Sequence, residues 1–378
     1  MSAALQAYRE ALASGLRERR RRHLLRTLAP AAGVDFTSND YLGLGRDPAF
    51  AAEVQRRCGD QMAGATASRL LRGHQPWHAR VERKLAEWCN AEAVLLFSSG
   101  FALNVGLYSA LVGQGDLILS DELNHASIID GIRLSKAERH VYKHQDLQGL
   151  AARLQRRPPG QRALVVTESL FSMDGDRTDL ASLASLCADH GALLVVDEAH
   201  ATGVWGAGRV AAEGLRDSVL ATVHTGGKAL GGQGAWIATD QVLVDHLVNH
   251  CRSFVFSTGV SPALCATLEA AVDWIEAQPW RRQRLHANRA LFDRLALDRG
   301  LPVLPGSSAG IAPVMVADPA RALEVAGQVQ AQGLDVRAVR PPTVPTSRIR
   351  VTLHATHTEQ QIKRLVDALA AALGQEGQ

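Results

Sequence analysis

Three short segments of this sequence contain residue types that can do chemistry. An acidic residue and an imidazole, Asp197 and His200, follow the apolar run at 192–196, and Lys228, flanked by glycines, follows the apolar run at 219–223. A carboxylate at the end of a buried strand can stabilise a positive charge, and a lysine amine can act as a nucleophile. The third segment is the turn at 98–101, which opens a predicted helix whose first N–H groups suit a phosphate.

The run Asp-Glu-Ala-His at 197–200 has other interpretations. It resembles the acidic motif of helicase-type ATPases, but those need a phosphate loop, and here Gly227-Lys228 is followed by Ala229, with Thr222 in place of the first glycine. A metal hydrolase would need further ligands, and no second His/Asp cluster stands out in the sequence. In the purely structural alternative, Asp197 caps the next helix and His200 is a hydrogen-bonded structural histidine.

Taken together, the three segments match the needs of pyridoxal phosphate. That cofactor requires a lysine for a Schiff base, a carboxylate that keeps its pyridinium nitrogen protonated, and a cradle for its phosphate. Lys228, Asp197 and the turn at 98–101 supply one of each. The sequence therefore favours this cofactor and predicts no metal site.

Apolar runs that alternate with amphipathic segments predict an α/β fold. The runs at 93–97, 117–119, 163–167 and 192–196 are typical of strands buried on both faces, and helices are expected at about 101–113, 124–135, 145–155 and 179–190. This order predicts a mostly parallel sheet, with ligands bound at the carboxyl ends of its strands.

The two ends of the chain have different patterns. Residues 3–28 predict one helix with a solvated basic patch at Arg19–Arg22, within an N-terminal segment of residues 1–40. A large domain is expected over 41–275. A smaller α+β domain is expected over 276–378, with helices at 262–277 and 279–298 at or near its start. Strands follow near 310–317, 334–338 and 348–353, with a last helix from Thr358.

Composition excludes several classes of protein. The 378 residues carry a net charge of +3, which does not indicate a general nucleic-acid or membrane-surface binder. The five cysteines are odd in number and form no C-x-x-C pair, so neither a disulfide framework nor a structural zinc site is expected. With no signal-peptide pattern at the N-terminus, these features predict a cytoplasmic protein.

Six motifs, in order along the chain, resemble those of the α-oxoamine synthases, which are pyridoxal-phosphate enzymes with the aspartate-aminotransferase fold (fold type I). The motifs lie at 38–44 (SNDYLGL), 99–104 (SGFALN), 124–127 (NHAS), 171–176 (FSMDGD), 197–203 (DEAHATG) and 225–228 (TGGK). The resemblance implies a large domain with a mostly parallel sheet, a smaller C-terminal domain, and a homodimer with its active site at the subunit interface.

The resemblance also implies roles for individual residues around the cofactor. Lys228 would form the Schiff base and act as the base, Asp197 would pair with the pyridinium nitrogen, His200 would bond the phenolic oxygen, and His125 would stack on the ring. The other residues expected to contact the cofactor are Gly100, Phe101, Ser172 and Thr225. Glu168 is a possible supporting group.

The segment 340–345 (RPPTVP) resembles the branch of this family that condenses L-alanine with a pimeloyl thioester, carried by coenzyme A or acyl carrier protein, in biotin biosynthesis. Arg340 is then expected to bind the amino-acid carboxylate, and Thr343 to line the same site, which His125 also borders. Arg26 is expected to bind the distal carboxylate of the acyl donor. Sister activities, such as glycine C-acetyltransferase or 5-aminolevulinate synthase, are the alternative.

Overall fold

A computed structural model describes residues 2–61 and 63–374, which form two compact units. The larger unit consists of Asn39–Ser172 and Asp176–Leu285, and the smaller one of residues 2–38, 173–175 and 286–374. The N-terminal segment therefore belongs to the same unit as the C-terminal residues. The division into three domains after residues 40 and 275 stays a prediction.

The helices and strands alternate along most of the described chain. The helices are α1 (Ala3–Arg21), α2 (Pro48–Cys58), α3 (Pro76–Trp88), α4 (Gly100–Leu111), α5 (Ala126–Leu134), α6 (Leu147–Gln155), α7 (Leu180–Asp189), α8 (Arg209–Ala212), α9 (Gln241–His250), α10 (Arg252–Val255), α11 (Pro262–Ala277), α12 (Trp280–Asp298), α13 (Pro319–Gln330) and α14 (Glu359–Gly374). The strands are β1 (Val34–Asp35), β2 (Ala93–Phe97), β3 (Leu117–Asp121), β4 (Glu138–Tyr142), β5 (Ala163–Glu168), β6 (Leu193–Asp197), β7 (Ala221–Thr225), β8 (Ala235–Thr239), β9 (Ile311–Met315), β10 (Leu334–Asp335), β11 (Ala338–Val339) and β12 (Arg348–Thr352).

The larger unit is built on a seven-stranded sheet, in the order β2-β8-β7-β6-β5-β3-β4. Only β8 runs antiparallel to its neighbours, β2 and β7, so the predicted mostly parallel sheet is confirmed. Successive side chains of a strand point to opposite faces. Strand β3 illustrates this alternation, because Ile118 packs with α4 and α5 while Leu117 and Leu119 pack with α6 and α7.

The predicted N-terminal helix over 3–28 is too long. α1 ends at Arg21, because His23 adopts a left-handed backbone conformation with φ of 55°. The N–H of Leu24 then bonds the carbonyl of Arg19 at 2.8 Å, and that of His23 bonds the carbonyl of Arg20 at 3.1 Å. This pair of bonds is the Schellman arrangement that closes a helix, here with histidine at the position that glycine usually occupies.

The smaller unit contains an antiparallel sheet, in the order β11-β12-β9, and a short parallel pair of β1 with β10. Its last helix begins as predicted. The N–H of Thr358 bonds Gln361 Oε1 at 2.9 Å, and the N–H of Gln361 bonds Thr358 Oγ1 at 3.2 Å, which confirms the capping box. In the part of the chain that the structure describes, no helix is both long and apolar enough to cross a membrane.

Candidate active site

Two buried carboxylates lie side by side at the carboxyl end of the large sheet. Glu168 ends β5 and Asp197 ends β6, and the two residues are paired neighbours in the parallel register. Asp197 is 5% exposed, and both of its oxygens accept hydrogen bonds: Oδ2 from Asn104 Nδ2 and Oδ1 from the N–H of Ala199, each at 2.9 Å. The carboxylate is therefore fixed in place at the strand end that the sequence predicted.

A chain of hydrogen bonds connects Asp197 to His125. The amide nitrogen of Asn104, on α4, is also 3.1 Å from Ser127 Oγ, on α5. Ser127 Oγ is 2.8 Å from His125 Nδ1, and the N–H of Ser127 donates to the same nitrogen at 3.2 Å. His125 thus caps α5 while its ring is oriented by the residue that also contacts Asn104.

The environment of His125 favours the neutral form of its ring. The pKa of His125 is lowered first by desolvation and also by the nearby Lys228 ammonium, against the opposing effect of the Asp197 carboxylate. The N–H of His125 donates to Glu168 Oε1 at 2.6 Å. Burial, and then the negative charge of Asp197, hold the pKa of Glu168 well above its usual range, although Lys228 lowers it. Lys228, Glu168, Asp197 and His125 therefore form one electrostatic group.

Lys228 lies in a glycine-rich loop between β7 and β8. The loop is closed by backbone bonds, from Gly231 N to Lys228 O and from Gly232 N to Gly226 O, each at 2.9 Å. A Cβ on Gly226 would lie 2.4 Å from Leu268 Cδ2, and one on Gly232 would lie 2.5 Å from Thr267 Cγ2. Larger residues at these two positions would crowd α11, so the loop that contains the half-buried Lys228 packs closely against this helix.

The start of α4 lies beside the end of β7. Ser99 caps α4 by accepting from the N–H of Ala102 at 3.1 Å, and the first intrahelical bond runs from Leu103 N to Ser99 O at 3.0 Å. The N–H groups of Gly100 and Phe101 come before that bond, as an anion site at a helix N-terminus requires. A Cβ at Gly100 would lie 4.0 Å from Thr225 Cβ, so the structure brings Gly100 and Thr225 together.

Thr225 and His200 both have defined partners within the protein. Thr225 Oγ1 donates to Gly234 O at 3.0 Å and accepts from the N–H of Gly227 at 3.1 Å. His200 is 4% exposed, and its Nδ1 is 2.7 Å from the hydroxyl of Tyr41. Tyr41 belongs to the 38–44 motif, but no role for it is predicted from the sequence, because its partner is 159 residues away.

The loop that follows β5 contains Ser172 and is held by a charged histidine. His144 lies between two carboxylates, with Nδ1 at 2.9 Å from Asp121 Oδ1 and Nε2 at 2.7 Å from Asp176 Oδ2. These two partners raise the pKa of His144 to about 10, although burial opposes the shift. The imidazolium therefore joins the ends of β3 and β4 to the loop, in which Ser172 is half-buried.

Glu198 has different hydrogen-bond partners from its neighbour Asp197. It is fully buried and accepts from the N–H groups of Arg209 and Val210, at 2.9 and 2.7 Å, and from Ser169 Oγ at 2.8 Å. Its hydrogen bonds fix the start of α8. Within residues 2–61 and 63–374, no group of three or more His, Cys, Asp or Glu side chains could hold a metal ion.

The predicted substrate residues of the smaller unit meet at one cavity. Arg26, Arg340 and Thr343 all line a cavity of about 250 Å³. Arg26 Nη2 donates to Thr343 Oγ1 at 2.7 Å, across 317 residues of sequence. The sequence predicts two different carboxylates as the ligands of the two arginines, whereas both side chains lie at one cavity in the structure.

The arrangement in the larger unit has a definite chemical capability. A buried carboxylate pair can stabilise a cationic ring, a nearby lysine amine can form a covalent link and carry a proton, and a helix N-terminus can bind a phosphate. Asn104, Ser127 and Tyr41, which orient the acidic and imidazole groups, were missed as functional residues. All three lie inside the recognised motifs, at 38–44, 99–104 and 124–127, and that was the available signal.

Comparison with known proteins identifies relatives along almost the whole chain. The family described as "Aminotransferase class I and II" matches residues 31–369. An 8-amino-7-oxononanoate synthase of Alkalilimnicola ehrlichii is 45% identical over 348 residues, which cover 90% of this chain and 88% of that protein.

Two solved structures extend the similarity to the fold. A serine palmitoyltransferase from S. paucimobilis with a bound PLP–myriocin aldimine superposes with a TM-score of 0.86 at 27% identity, covering 98% of this chain and 96% of that one. The 8-amino-7-oxononanoate synthase of Francisella tularensis superposes with a TM-score of 0.75 at 27% identity, covering 90% and 98%. The expected aspartate-aminotransferase-like fold is thereby confirmed.

Proposed function

This chain belongs to the class I and II aminotransferase family, and on that premise we propose that it is a pyridoxal-phosphate-dependent 8-amino-7-oxononanoate synthase. The reaction joins L-alanine to a pimeloyl thioester and releases CO2 and the free thiol carrier. The observation that carries the proposal is the buried carboxylate pair of Asp197 and Glu168 next to Lys228, in a chain that is 45% identical to a synthase of that name.

The residues present fit the cofactor. The site holds two buried acidic side chains near one lysine, and burial, followed by the negative charge of Asp197, raises the pKa of Glu168 there. A cationic pyridinium nitrogen would pair with the negative charge of Asp197. The helix start at Gly100 and Phe101, next to Thr225, would take the phosphate.

When bound, pyridoxal phosphate withdraws electrons from the substrate Cα and makes its proton acidic. Lys228 Nζ would hold the cofactor covalently and, once released, would accept the Cα proton of L-alanine. Asp197 would keep a proton on the ring nitrogen. His125, neutral because its pKa is lowered, would stack on the ring without adding a positive charge. Because Tyr41 contacts Nδ1 of His200, we assign Nε2 of His200 to the phenolic oxygen.

Position in the loops also assigns roles to Ser172, Thr225, Arg26 and Thr343. Ser172, in the loop that His144 holds, and Thr225 would supply polar contacts to the cofactor. In the smaller unit, Arg26 would bind the distal carboxylate of the acyl donor, with Thr343 positioning its guanidinium through the 2.7 Å hydrogen bond.

Assembly and location are also part of the proposal. We infer a homodimer, because α1 has no buried residue and exposes Leu5, Tyr8, Leu12 and Leu16 on one face. We infer a cytoplasmic location from the five cysteines, which are all free thiols.

The function is tested by substrate competition. The enzyme loaded with pyridoxal phosphate is expected to turn over L-alanine with pimeloyl thioester at a higher kcat/KM than glycine with acetyl-CoA, with release of thiol and of labelled CO2 from carboxyl-labelled alanine. Lys228→Ala serves as the inactive control, and it should also lose the borohydride-reducible cofactor adduct on that peptide. A higher kcat/KM for glycine with acetyl-CoA would overturn the proposal in favour of a sister activity.

A further inference from the structure

Glu168 is a buried acidic residue that takes no direct part in the proposed reaction. It ends β5, is 3% exposed, and pairs with Asp197 in the parallel register. Its Oε1 accepts the N–H of His125 at 2.6 Å, while the N–H of Ser127 donates to the ring of His125 at 3.2 Å. His125 is therefore held from two sides, through its backbone by Glu168 and through its ring by Ser127.

The surroundings of Glu168 contain more acidic groups than cations. The titratable groups that face it come from five neighbouring segments, namely Tyr108 on α4, Asp121 on β3, His125 before α5, Asp197 on β6 and Lys228 in the loop after β7. Asp121 is already paired with His144. Among these groups of the described chain, Lys228 is then the one cation that Glu168 and Asp197 must share. Two ionised carboxylates would leave the buried site with an uncompensated negative charge, which is costly.

The hydrogen bonds decide which of the two acids keeps the negative charge. Each oxygen of Asp197 accepts one N–H donor at 2.9 Å, and such bonds stabilise the ionised form of a carboxylate. At Glu168, burial and then the negative charge of Asp197 raise the pKa well above its usual range, against the opposing effects of Lys228 and the N–H of His125. Geometry and electrostatics thus both leave the proton on Glu168.

We propose that Glu168 is a positioning residue that holds His125 as a neutral carboxylic acid, so that Asp197 is the charged member of the pair. Oε1 is then the carbonyl oxygen that accepts the N–H of His125, and Oε2 carries the proton. A neutral acid fixes this backbone without adding a negative charge that would favour protonation of the His125 ring. For turnover, this role rests on the proposed function, in which His125 stacks on the cofactor as a neutral ring.

The protonation state is tested on the cofactor-free protein by urea unfolding of wild type and Glu168→Gln from pH 5 to 8. Glutamine keeps the shape and the carbonyl oxygen for His125, but it does not titrate. Above about pH 4.3, wild type must take up a proton at Glu168 when it folds, so its stability relative to the variant falls as the pH rises toward the folded-state pKa. The ratio of the two unfolding constants should grow by up to about tenfold per pH unit, and by at least about tenfold between pH 5 and 7.

Glu122→Gln is the matched control on the neighbouring strand end. Glu122 follows β3 and accepts the N–H of His144 and Lys143 Nζ, each at 3.0 Å. These two bonds lower its pKa, so Glu122 is ionised in both the folded and the unfolded protein over most of this range. The ratio of unfolding constants for Glu122→Gln and wild type should therefore stay nearly constant from pH 5 to 8.

The positioning role is tested on the cofactor-loaded enzyme with L-alanine and pimeloyl thioester. Glu168→Ala should lower kcat/KM by about 10- to 100-fold, because the buried N–H of His125 loses its acceptor. Glu168→Gln should stay within about 3-fold of wild type, because the amide carbonyl restores that acceptor. The same acid-to-amide change at Asp197 should cost more than about 100-fold, since there the charge itself is required.

Three outcomes would overturn the proposal. A constant ratio of unfolding constants for Glu168→Gln would show that Glu168 is ionised in the folded protein. Equal losses of kcat/KM in Glu168→Gln and Glu168→Ala would show that the neutral carbonyl is not sufficient, and wild-type turnover of Glu168→Ala would show that Glu168 does not position His125. If wild type does not use pimeloyl thioester, the proposed function fails, while the unfolding comparison still decides the protonation state.

Discussion

Asp197 and Glu198 are adjacent acidic residues whose side chains have different hydrogen-bond partners. Alternation along the chain directs Asp197 toward Asn104 and the N–H of Ala199, and Glu198 toward the start of α8. Both carboxylates have every oxygen occupied by N–H or O–H donors of the protein. The pair thus allows the structural and the chemical effects of losing a carboxylate to be separated.

Asp197→Asn is expected to lower both stability and turnover. The amide NH2 must face one of the two existing donors, which should cost about 1–3 kcal/mol of unfolding free energy in the cofactor-free protein. Turnover should fall by more than about 100-fold, because a neutral amide cannot keep a ring nitrogen protonated. Urea unfolding and steady-state kinetics measure the two effects.

Glu198→Gln is the matched control for that experiment. It introduces the same amide against three donors, so a similar loss of unfolding free energy is expected while kcat at a temperature well below unfolding stays near that of wild type. If the two variants lost turnover equally, the activity of Asp197 would have to be attributed to folding alone.

At the scale of elements, apolar runs predicted the buried strands and the helices between them to within about two residues. β4 was missed because it is an edge strand whose sequence, ERHVY, carries charges on its exposed positions. β8 was missed as well, and its antiparallel direction follows from pairing with β2 and β7, which no local pattern encodes. The end of α1 depends on the backbone of His23, a residue type that rarely closes a helix.

The contact between α4 and α5 depends on Gly131. A Cβ at this position would lie 2.2 Å from the carbonyl oxygen of Asn104, so a side chain would force the two helices apart. Gly131→Ala is expected to lose about 1–3 kcal/mol of unfolding free energy. The shift should also disturb the bonds from Asn104 to Ser127 and Asp197, so activity should fall with stability.

Gly327→Ala is the control, because Gly327 lies within α13 and a Cβ there would meet no atom within 4 Å. Alanine in an exposed helix position should raise the unfolding free energy by about 0.5–1 kcal/mol. Denaturant unfolding of both variants checks the pair, and a neutral result for Gly131→Ala would contradict the close helix contact.

The His144 bridge predicts a pH-dependent stability. The pKa of His144 is raised to about 10 in the folded protein, above its usual value, so its contribution is fully present below about pH 6.5 and disappears as the pH rises through about 10. Relative to wild type, His144→Gln should therefore lose about 1.5–3 kcal/mol of unfolding free energy at neutral pH and much less near pH 10.5.

His140→Gln provides the comparison, because His140 lies on β4, four residues before His144, and its pKa is lowered by desolvation and by Arg153. Its difference from wild type should not change between about pH 7 and 10.5. Urea titrations across this range measure both differences. A constant difference for His144→Gln would mean that the imidazolium does not bridge Asp121 and Asp176.

At the scale of the whole molecule, local motifs predict the residues that we propose contact the cofactor, and long-range folding brings their hydrogen-bond partners to them. Asp197 ends a strand, and His200, His125 and Lys228 come shortly after strand ends, where the sequence predicts them. Tyr41 reaches His200 across 159 residues, and Arg26 reaches Thr343 across 317. No period or turn signal encodes such contacts, so the shared cavity of the two arginines became visible only in the fold.

The proposed homodimer is a property of the whole molecule. Leu5, Tyr8, Leu12 and Leu16 recur at helical spacing on α1, and each is at least 41% exposed in the single chain. Such a stripe is stable in water when a second copy covers it. Sedimentation should give twice the chain mass of 40.6 kDa, and the melting temperature should rise with protein concentration.

Leu12→Glu combined with Leu16→Glu should weaken the dimer, because two carboxylates would enter an apolar contact. Ala7→Glu combined with Ser14→Glu adds the same charge on the opposite face of α1, at about 100° per residue, and should leave the mass unchanged. If both double variants sediment as wild type does, the stripe on α1 does not form the subunit contact. If wild type sediments as a single chain at every concentration, the homodimer itself is wrong.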